Sequence, residues 1–412
     1  MNPISSILAR GIAAGALICG SSLAMAQALA WPPVSLAQAV EAAWQRTTDT
    51  VEADGRLGRA SADIVVASAP WAAPPALELA HRDDRLLTNA GALETNLGIA
   101  LPLWLPGQKG ARLEAAMAGK EAALAAREVA RLRVAGLVRE AVWHVTLQRA
   151  EVGLAQAQAQ ALETLAADVD RRVAAGDLAR ADALAARAQA LAGATALAQA
   201  GVRLTVSLTR WQALTGLPDI PPADRTADPV DPRTPGEDHP MLQAARRDVD
   251  FQRRRLDAVN ASGRSPPELL ARIRRDMPSR ADTARNSIGI ALRLPLATDD
   301  RNAPLIAGAA ADLELALAVE QRLRRQLQAE VDASRAEADA AERQVDGQQT
   351  RARLLRERAL LVERSFRAGE TSLPEMLRVL SSAMQADAAL ERQRADAGLA
   401  SARLQQALGI QP

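Results

Sequence analysis

Few residues in this chain are of types that do chemistry, so they can be taken one by one. It has three histidines and one cysteine in 412 residues. His81-Arg82-Asp83 has the residue order of a kinase catalytic loop, but the asparagine such a loop needs would stand at position 88, which is Thr88. No phosphate-cradling glycine loop or metal-binding aspartate motif accompanies it, so the match is rejected. The scattered histidines give no zinc or copper site, and neither a nucleophile elbow nor a phosphate loop occurs. His144, beside Trp143 on an apolar stripe, reads as a packed helix residue rather than a ligand. No catalytic residue, cofactor-binding residue or metal ligand is assigned. Asp168 and Asp170 leave two readings open: rings of carboxylate favouring cations in a pore, or caps and intrahelix ion pairs. The basic runs Arg253-Arg254-Arg255 and Arg274-Arg275 read as solvated faces or strand-end charges.

The charge balance of 50 basic against 49 acidic side chains gives no nucleic-acid footprint. With no tyrosine and two phenylalanines, the chain also lacks the aromatic content of a densely packed globular enzyme. Long proline-free stretches between Pro106 and Pro218 and between Pro304 and Pro374 are filled by Ala, Leu, Arg, Glu and Gln, all strong helix formers. Leu113, Met117 and Leu124 fall on one stripe, as do Leu323, Leu327 and Val331. Glu320 with Arg324 and Asp339 with Arg343 have the favourable i,i+4 order. A helix from about Gly107 to Asp170 would be on the order of 90 Å long, a length for which an ordinary globular domain has no use.

Each long stretch is broken once, at "VAAGDLAR" (Val173 to Arg180) and at "FRAGETSL" (Phe366 to Leu373). Gly176 and Gly369 suit the left-handed backbone at the end of a helix. Asp177, Thr371 and Ser372 can cap the returning helix and Pro374 suits its first turn. Each stretch is therefore predicted to be an antiparallel helical hairpin with its tip at the glycine. The two glycines lie 193 positions apart, and so do Leu214-Thr215-Gly216-Leu217 and Ala407-Leu408-Gly409-Ile410. Pro74-Pro75 and Pro266-Pro267 are offset by 192 positions. The near-constant offset predicts two structural repeats, 27–222 and 236–412, joined by a Pro- and Asp-rich linker at 223–235.

Between the first helix of each repeat and its long hairpin the period changes. Leu93, Thr95, Leu97, Ile99, Leu101 and Leu103 share one face, with Glu94, Asn96, Gly98 and Ala100 on the other. Ile288, Ile290, Leu292 and Leu294 repeat the pattern, and Leu77 to His81 and Leu269 to Ile273 supply partners. Segments of about ten residues, apolar on one side and small or polar on the other, fit outer-membrane barrel strands. Ordinary surface hairpins have the same alternation. Two hairpins make four strands, and membrane barrels need about eight, so a membrane reading requires several copies.

At the N-terminus, Arg10, the apolar run "GIAAGALIC" and Ala24-Met25-Ala26 read as a signal peptide over 1–26. Ala28-Leu29-Ala30 offers a second cleavage site. Cys19, the one cysteine, lies inside it, so the mature chain is expected to be cysteine-free, as suits an oxidising compartment. No uncharged apolar run beyond it is long enough for a transmembrane helix.

"VSLAQAV", "LPLWLPGQKGAR", "RRVAAGDLARADAL", "WQALTGLP", "HPMLQAARRDV" and "RSFRAGETSLPEML", in that order and spacing, resemble the TolC-like outer-membrane efflux protein family across the mature chain. "WLPGQ" is similar to the branch serving heavy-metal cation exporters. The resemblance implies a mainly α fold with a small β membrane part. Duplicated helical hairpins would form a periplasmic α-barrel tunnel, and three chains would contribute four strands each to a 12-stranded barrel in outer-membrane lipid. It implies a passive, non-enzymatic exit duct of a tripartite efflux system, without cofactor, working with a periplasmic adaptor and an inner-membrane pump. The partners would dock at Gly176, Asp177, Leu178, Arg367, Gly369, Glu370, Thr371 and Ser372. The chain departs from the family in having few aromatic residues beside its strands, beyond Trp71 and Trp104, and no glycine in "LPLATDDRNAP". The alternative is a soluble periplasmic coiled-coil adaptor or scaffold, although adaptors carry one hairpin inserted into glycine-rich β domains rather than two in tandem.

Overall fold

The computed structural model describes residues 34–86, 89–223, 238–296 and 299–412. The signal-peptide assignment with Cys19, Thr88, and nearly all of the 223–235 linker lie outside these residues.

Chain order begins α1 (Leu36–Trp44), α2 (Thr48–Ser68), β1 (Ala76–Asp83), β2 (Leu93–Pro102), α3 (Gln108–Ala175) and α4 (Arg180–Thr215). It continues α5 (Pro240–Ala261), β3 (Glu268–Met277), β4 (Arg285–Arg293), α6 (Asp299–Arg367) and α7 (Leu373–Ala407). The helices α3 and α6, with 68 and 69 residues, each run about 100 Å. The first continues five residues beyond the expected end at Asp170, because nothing between Arg171 and Ala175 breaks a helix and Gly176 is the first residue that does.

Seen from the hairpin-tip end, α4 packs on α3, α3 on α7, and α7 on α6, so α4 and α6 are the flanks of a four-helix wall. Toward the strands, α5 lies between α3 and α6, and α2 lies on α3. Close approach depends on small residues: a Cβ added to Gly398 of α7 would sit 2.1 Å from the Trp143 ring of α3. His144 is exposed, so it is the neighbouring tryptophan that packs. Met117 is 54% and Leu124 36% exposed on the stripe read from sequence, whereas Leu327 and Val331 are buried. The Glu320–Arg324 pair forms at 3.2 Å. The main core joins α1, α3 and α4 through Trp44, Val134, Val138, Val142, Val145 and Trp211. Arg139, 4% exposed, donates to the Gln406 side-chain oxygen and the Ile410 carbonyl, both at 2.7 Å, and so ties the C-terminal segment to mid-α3. By length and composition, Arg180–Thr215 and Asn302–Arg367 are apolar enough to cross a membrane. Both stretches are rich in alanine, which raises mean hydropathy while contributing little apolar area.

The strands form one antiparallel sheet in the order β1-β2-β3-β4. The register aligns Leu77, Ile99, Ala271 and Ile290 in one row and Leu79, Leu97, Ile273 and Ile288 in the next. A polar row, His81, Thr95, Arg275 and Asn286, follows on that face. On the opposite face, Arg274 pairs with Glu94 and Asp276, and Arg293 with Glu268 at 3.0 Å. The period-two reading therefore holds for the whole sheet, one face apolar and one charged. The kinase-like His81 bonds Thr95 across the hairpin at 3.0 Å, a strand contact.

The helix α5 opens on a titratable joint. His239 is the N-cap of α5, its Nδ1 accepting from the Met241 N–H at 3.1 Å. The ring is 3% exposed and packs on the turn at Gly409, where a Cβ would lie 2.7 Å from it. Burial pushes its pKa below the ordinary 6.5, with the Ala407 backbone opposing the shift. The folded chain thus binds the proton less readily than the unfolded chain, so stability is full above pH 6.5 and falls as the pH drops from there through the depressed folded value. Melting measured at pH 7.5 and 5.5 should show a loss of stability in acid. His239→Asn, which keeps a capping side chain, should flatten that dependence; an unchanged slope would acquit the histidine.

Candidate functional site: the paired hairpin tips

Both tips are closed by the same backbone device. At the first, Gly176 has φ 90°, the Asp177 N–H reaches the Arg172 carbonyl at 2.9 Å and the Gly176 N–H the Val173 carbonyl at 3.1 Å. At the second, Gly369 has φ 80°, Glu370 reaches Ser365 at 2.9 Å and Gly369 reaches Phe366 at 3.0 Å. These are Schellman closures, which place an αL residue just past a helix end.

The returning helices start differently from expectation. Asp177 does not cap α4; its N-cap is Ala179, whose N–H is held at 3.2 Å by Asp182, three residues on. Ser372 is the N-cap of α7 but makes no side-chain capping bond. Thr371 instead bonds the Ser365 hydroxyl at 2.7 Å, because the Schellman turn directs it back onto the helix it has just left. Pro374 does fall in the first turn of α7. Glu375, also in that turn, is held below the usual carboxylate range, first by its hydrogen bond from Arg378 and then by the charges of Arg378 and Arg358.

Of the eight residues assigned to the tips, Gly176, Asp177, Arg367, Gly369, Glu370 and Ser372 are exposed, while Leu178 and Thr371 are half-buried. Leu178 packs on a cluster that joins the two hairpins: Val169, Ala183, Ala186, Phe366, Leu373 and Met376. Arg172 crosses between them. Its guanidinium donates to the Phe366 carbonyl at 3.2 Å and lies 5.1 Å from that ring's centroid. The acidic residues near the first tip are engaged: Asp168 with Arg171 and Arg172 at 3.1 and 3.2 Å, Asp170 with Arg187 at 3.0 Å. That favours ion pairing over carboxylate rings. Among the described residues no group of His, Cys, Asp or Glu could hold a metal ion.

At the other end of the wall the sheet has two unpaired edges, one on β1 and one on β4. No family model and no curated protein matches the chain by sequence. In structure it is similar to the outer membrane protein VceC of Vibrio cholerae, with 18% identity, TM-score 0.74, and coverage of 91% of this chain and 96% of that one. The open state of the MtrE outer membrane channel of Neisseria gonorrhoeae gives 18% identity, TM-score 0.75, and coverage of 91% and 89%. CusC, solved in a study of folding and transmembrane channel formation, gives 15%, TM-score 0.74, and coverage of 92% and 93%. The chain has the fold of these outer-membrane channels.

Within that fold, Arg172 is the tip residue that sequence reasoning missed. Its partner is 194 positions away, so no local spacing announces the contact; the one available signal was the placement of a scarce phenylalanine next to the tip. Arg172→Ala should remove a charge-assisted bond and a cation–π contact, together about 1–3 kcal/mol. Hydrogen exchange of the Gly369 and Glu370 amides should rise about tenfold or more, with the mid-helix amides unchanged. Unaltered exchange at the tip would show that the clasp holds nothing.

Proposed function

We propose that this chain is the outer-membrane exit duct of a tripartite efflux system, passive and without catalysis. A periplasmic adaptor and an inner-membrane pump would meet it at the eight tip residues. In this reading 27–222 and 236–412 are structural repeats, joined by 223–235 and preceded by a signal peptide at 1–26. The observation that carries it is the pair of unfinished flanks. The sheet ends in open edges at β1 and β4, and the helical wall ends at α4 and α6. Those flanks carry exposed apolar side chains: Leu184, Leu191, Val202 and Val206 on α4, and Leu354, Leu360 and Leu361 on α6. Open edges are not tolerated in lipid. A rotational arrangement that sets β4 against the next copy's β1 also sets α6 against its α4, which is a heterologous interface that closes into a ring. Three copies give a barrel of twelve strands continued by a tunnel of helices, and the duct opens when the tip hairpins shift under a docked partner.

Cell fractionation followed by unheated gel electrophoresis tests this. The duct belongs in the outer-membrane fraction as a compact trimer. Release by salt, or recovery with the inner membrane, would favour the adaptor reading, and a stable water-soluble monomer would end the duct reading.

A further inference from the structure

A cavity of about 410 Å³ opens where α3, α5 and α6 leave the sheet. Its charged lining residues are Arg112, Arg255 and Asp312, with polar Ser262 and Asn302 and the apolar Val259, Pro304 and Leu305 beside them. Arg112 is five positions into α3, and it lies over the Trp104 ring at 5.5 Å. It has no carboxylate partner among the described residues. Trp104 is fixed in turn, its indole N–H donating to the Ala69 carbonyl at 2.9 Å. Arg255 donates to Asp312 at 2.9 Å, so the three charged groups sum to one net positive charge.

The depth of this cavity follows from the fold and rests on the outer-membrane reading above. The apolar face of the sheet marks the hydrocarbon layer. Its margin toward the helices continues in exposed Leu294, Leu296 and Leu305, at 57%, 87% and 61% exposure. The cavity lies within the first few helical turns beyond that margin, at headgroup depth. Basic pockets at that depth hold lipid phosphates.

We propose that this cavity binds the headgroup of a phosphatidylethanolamine molecule of the periplasmic leaflet. The phosphate is held by Arg112 and Arg255, the ammonium by Asp312, and the acyl chains run up the apolar sheet face past Leu305. A phosphate flanked by an ammonium matches two guanidiniums flanked by a carboxylate. Phosphatidylcholine offers the same phosphate, but its quaternary ammonium cannot donate a hydrogen bond to Asp312.

Delipidated, detergent-purified protein would be mixed with phosphatidylethanolamine or phosphatidylcholine, and retained lipid counted by native mass spectrometry. Phosphatidylethanolamine should be retained at one molecule per chain and at least fivefold better than phosphatidylcholine. Arg112→Gln should cut its retention at least tenfold, and Asp312→Asn should erase the preference between the two lipids. Equal retention by the Arg112→Gln protein would overturn the proposal. So would saturable binding of soluble glycerophosphoethanolamine with the affinity of the lipid, since the acyl chains would then play no part. Flotation of each variant with outer-membrane vesicles separates this question from the membrane reading itself: the variants should float like the parent, and a parent protein that does not float would sink the duct reading instead.

Discussion

If the chain is the exit duct proposed above, export should stop in the Gly176→Val, Gly369→Val double variant, while the trimer expected on an unheated gel should be unchanged. This outcome follows from where the cost falls. An added Cβ at either position meets no atom within 4 Å, so nothing is displaced and no core is disturbed. The penalty is in the backbone alone. Both residues hold positive φ, 90° and 80°, a region that costs an L-residue roughly 1–2 kcal/mol and a β-branched one more. The valines therefore leave the αL region, and the Schellman bonds to Arg172 and Ser365 go with it. The turn geometry that presents Asp177, Glu370 and Ser372 is lost, while α3, α4, α6 and α7 keep their packing. Asparagine tolerates αL, so Gly176→Asn with Gly369→Asn should retain most export. Transport of a reporter substrate in a strain lacking its own duct is the measurement. Normal export in the valine pair would remove the tips from the mechanism.

That prediction rests on a feature written locally in the sequence, and the contrast with what was not legible is physical. A positive-φ glycine after a long helix and a period-two run of Leu and Ile are constraints that a residue or its near neighbours satisfy alone, so Gly176, Gly369 and the four strands could be read directly. The capping assignments failed because several small polar residues stand at each turn, and backbone direction decides which reaches an amide. Asp182 caps from inside the helix, whereas Thr371 turns back to Ser365. Arg172, Arg139 and Trp143 act across 194, 271 and 255 positions, on Phe366, Ile410 and Gly398, and distance in sequence hides such pairs. Met117 and Leu124 have the periodicity of core residues yet are exposed in the single chain. A wall whose interfaces are completed by sister copies would leave some apolar positions uncovered in this way, but periodicity cannot tell a face covered by its own chain from one covered by another.

The same ambiguity attaches to the sheet, and charge placement resolves it. Leu77 and Ile290 occupy the central of three apolar rows, between the Leu101, Leu269, Leu292 row and the Leu79, Leu97, Ile273, Ile288 row. They are 73% and 77% exposed in the single chain. If that face meets lipid, arginine near the bilayer midplane costs about 2–4 kcal/mol at each position. Leu77→Arg with Ile290→Arg in three copies puts six such charges in one belt. Insertion into vesicles, read as the fraction of protein running as folded trimer without heating, should fall at least a hundredfold. Ala80→Arg with Ser287→Arg adds the same charges on the opposite face of β1 and β4, both at exposed positions beside the Arg274 and Glu94 pair. That face would line water, so this variant should insert nearly as well as the parent. A soluble surface hairpin would feel neither pair strongly, because arginine facing water on either side costs little. The two double variants thus separate a sheet with one face in lipid from a sheet with two faces in water, and equal insertion would place the apolar rows outside the membrane.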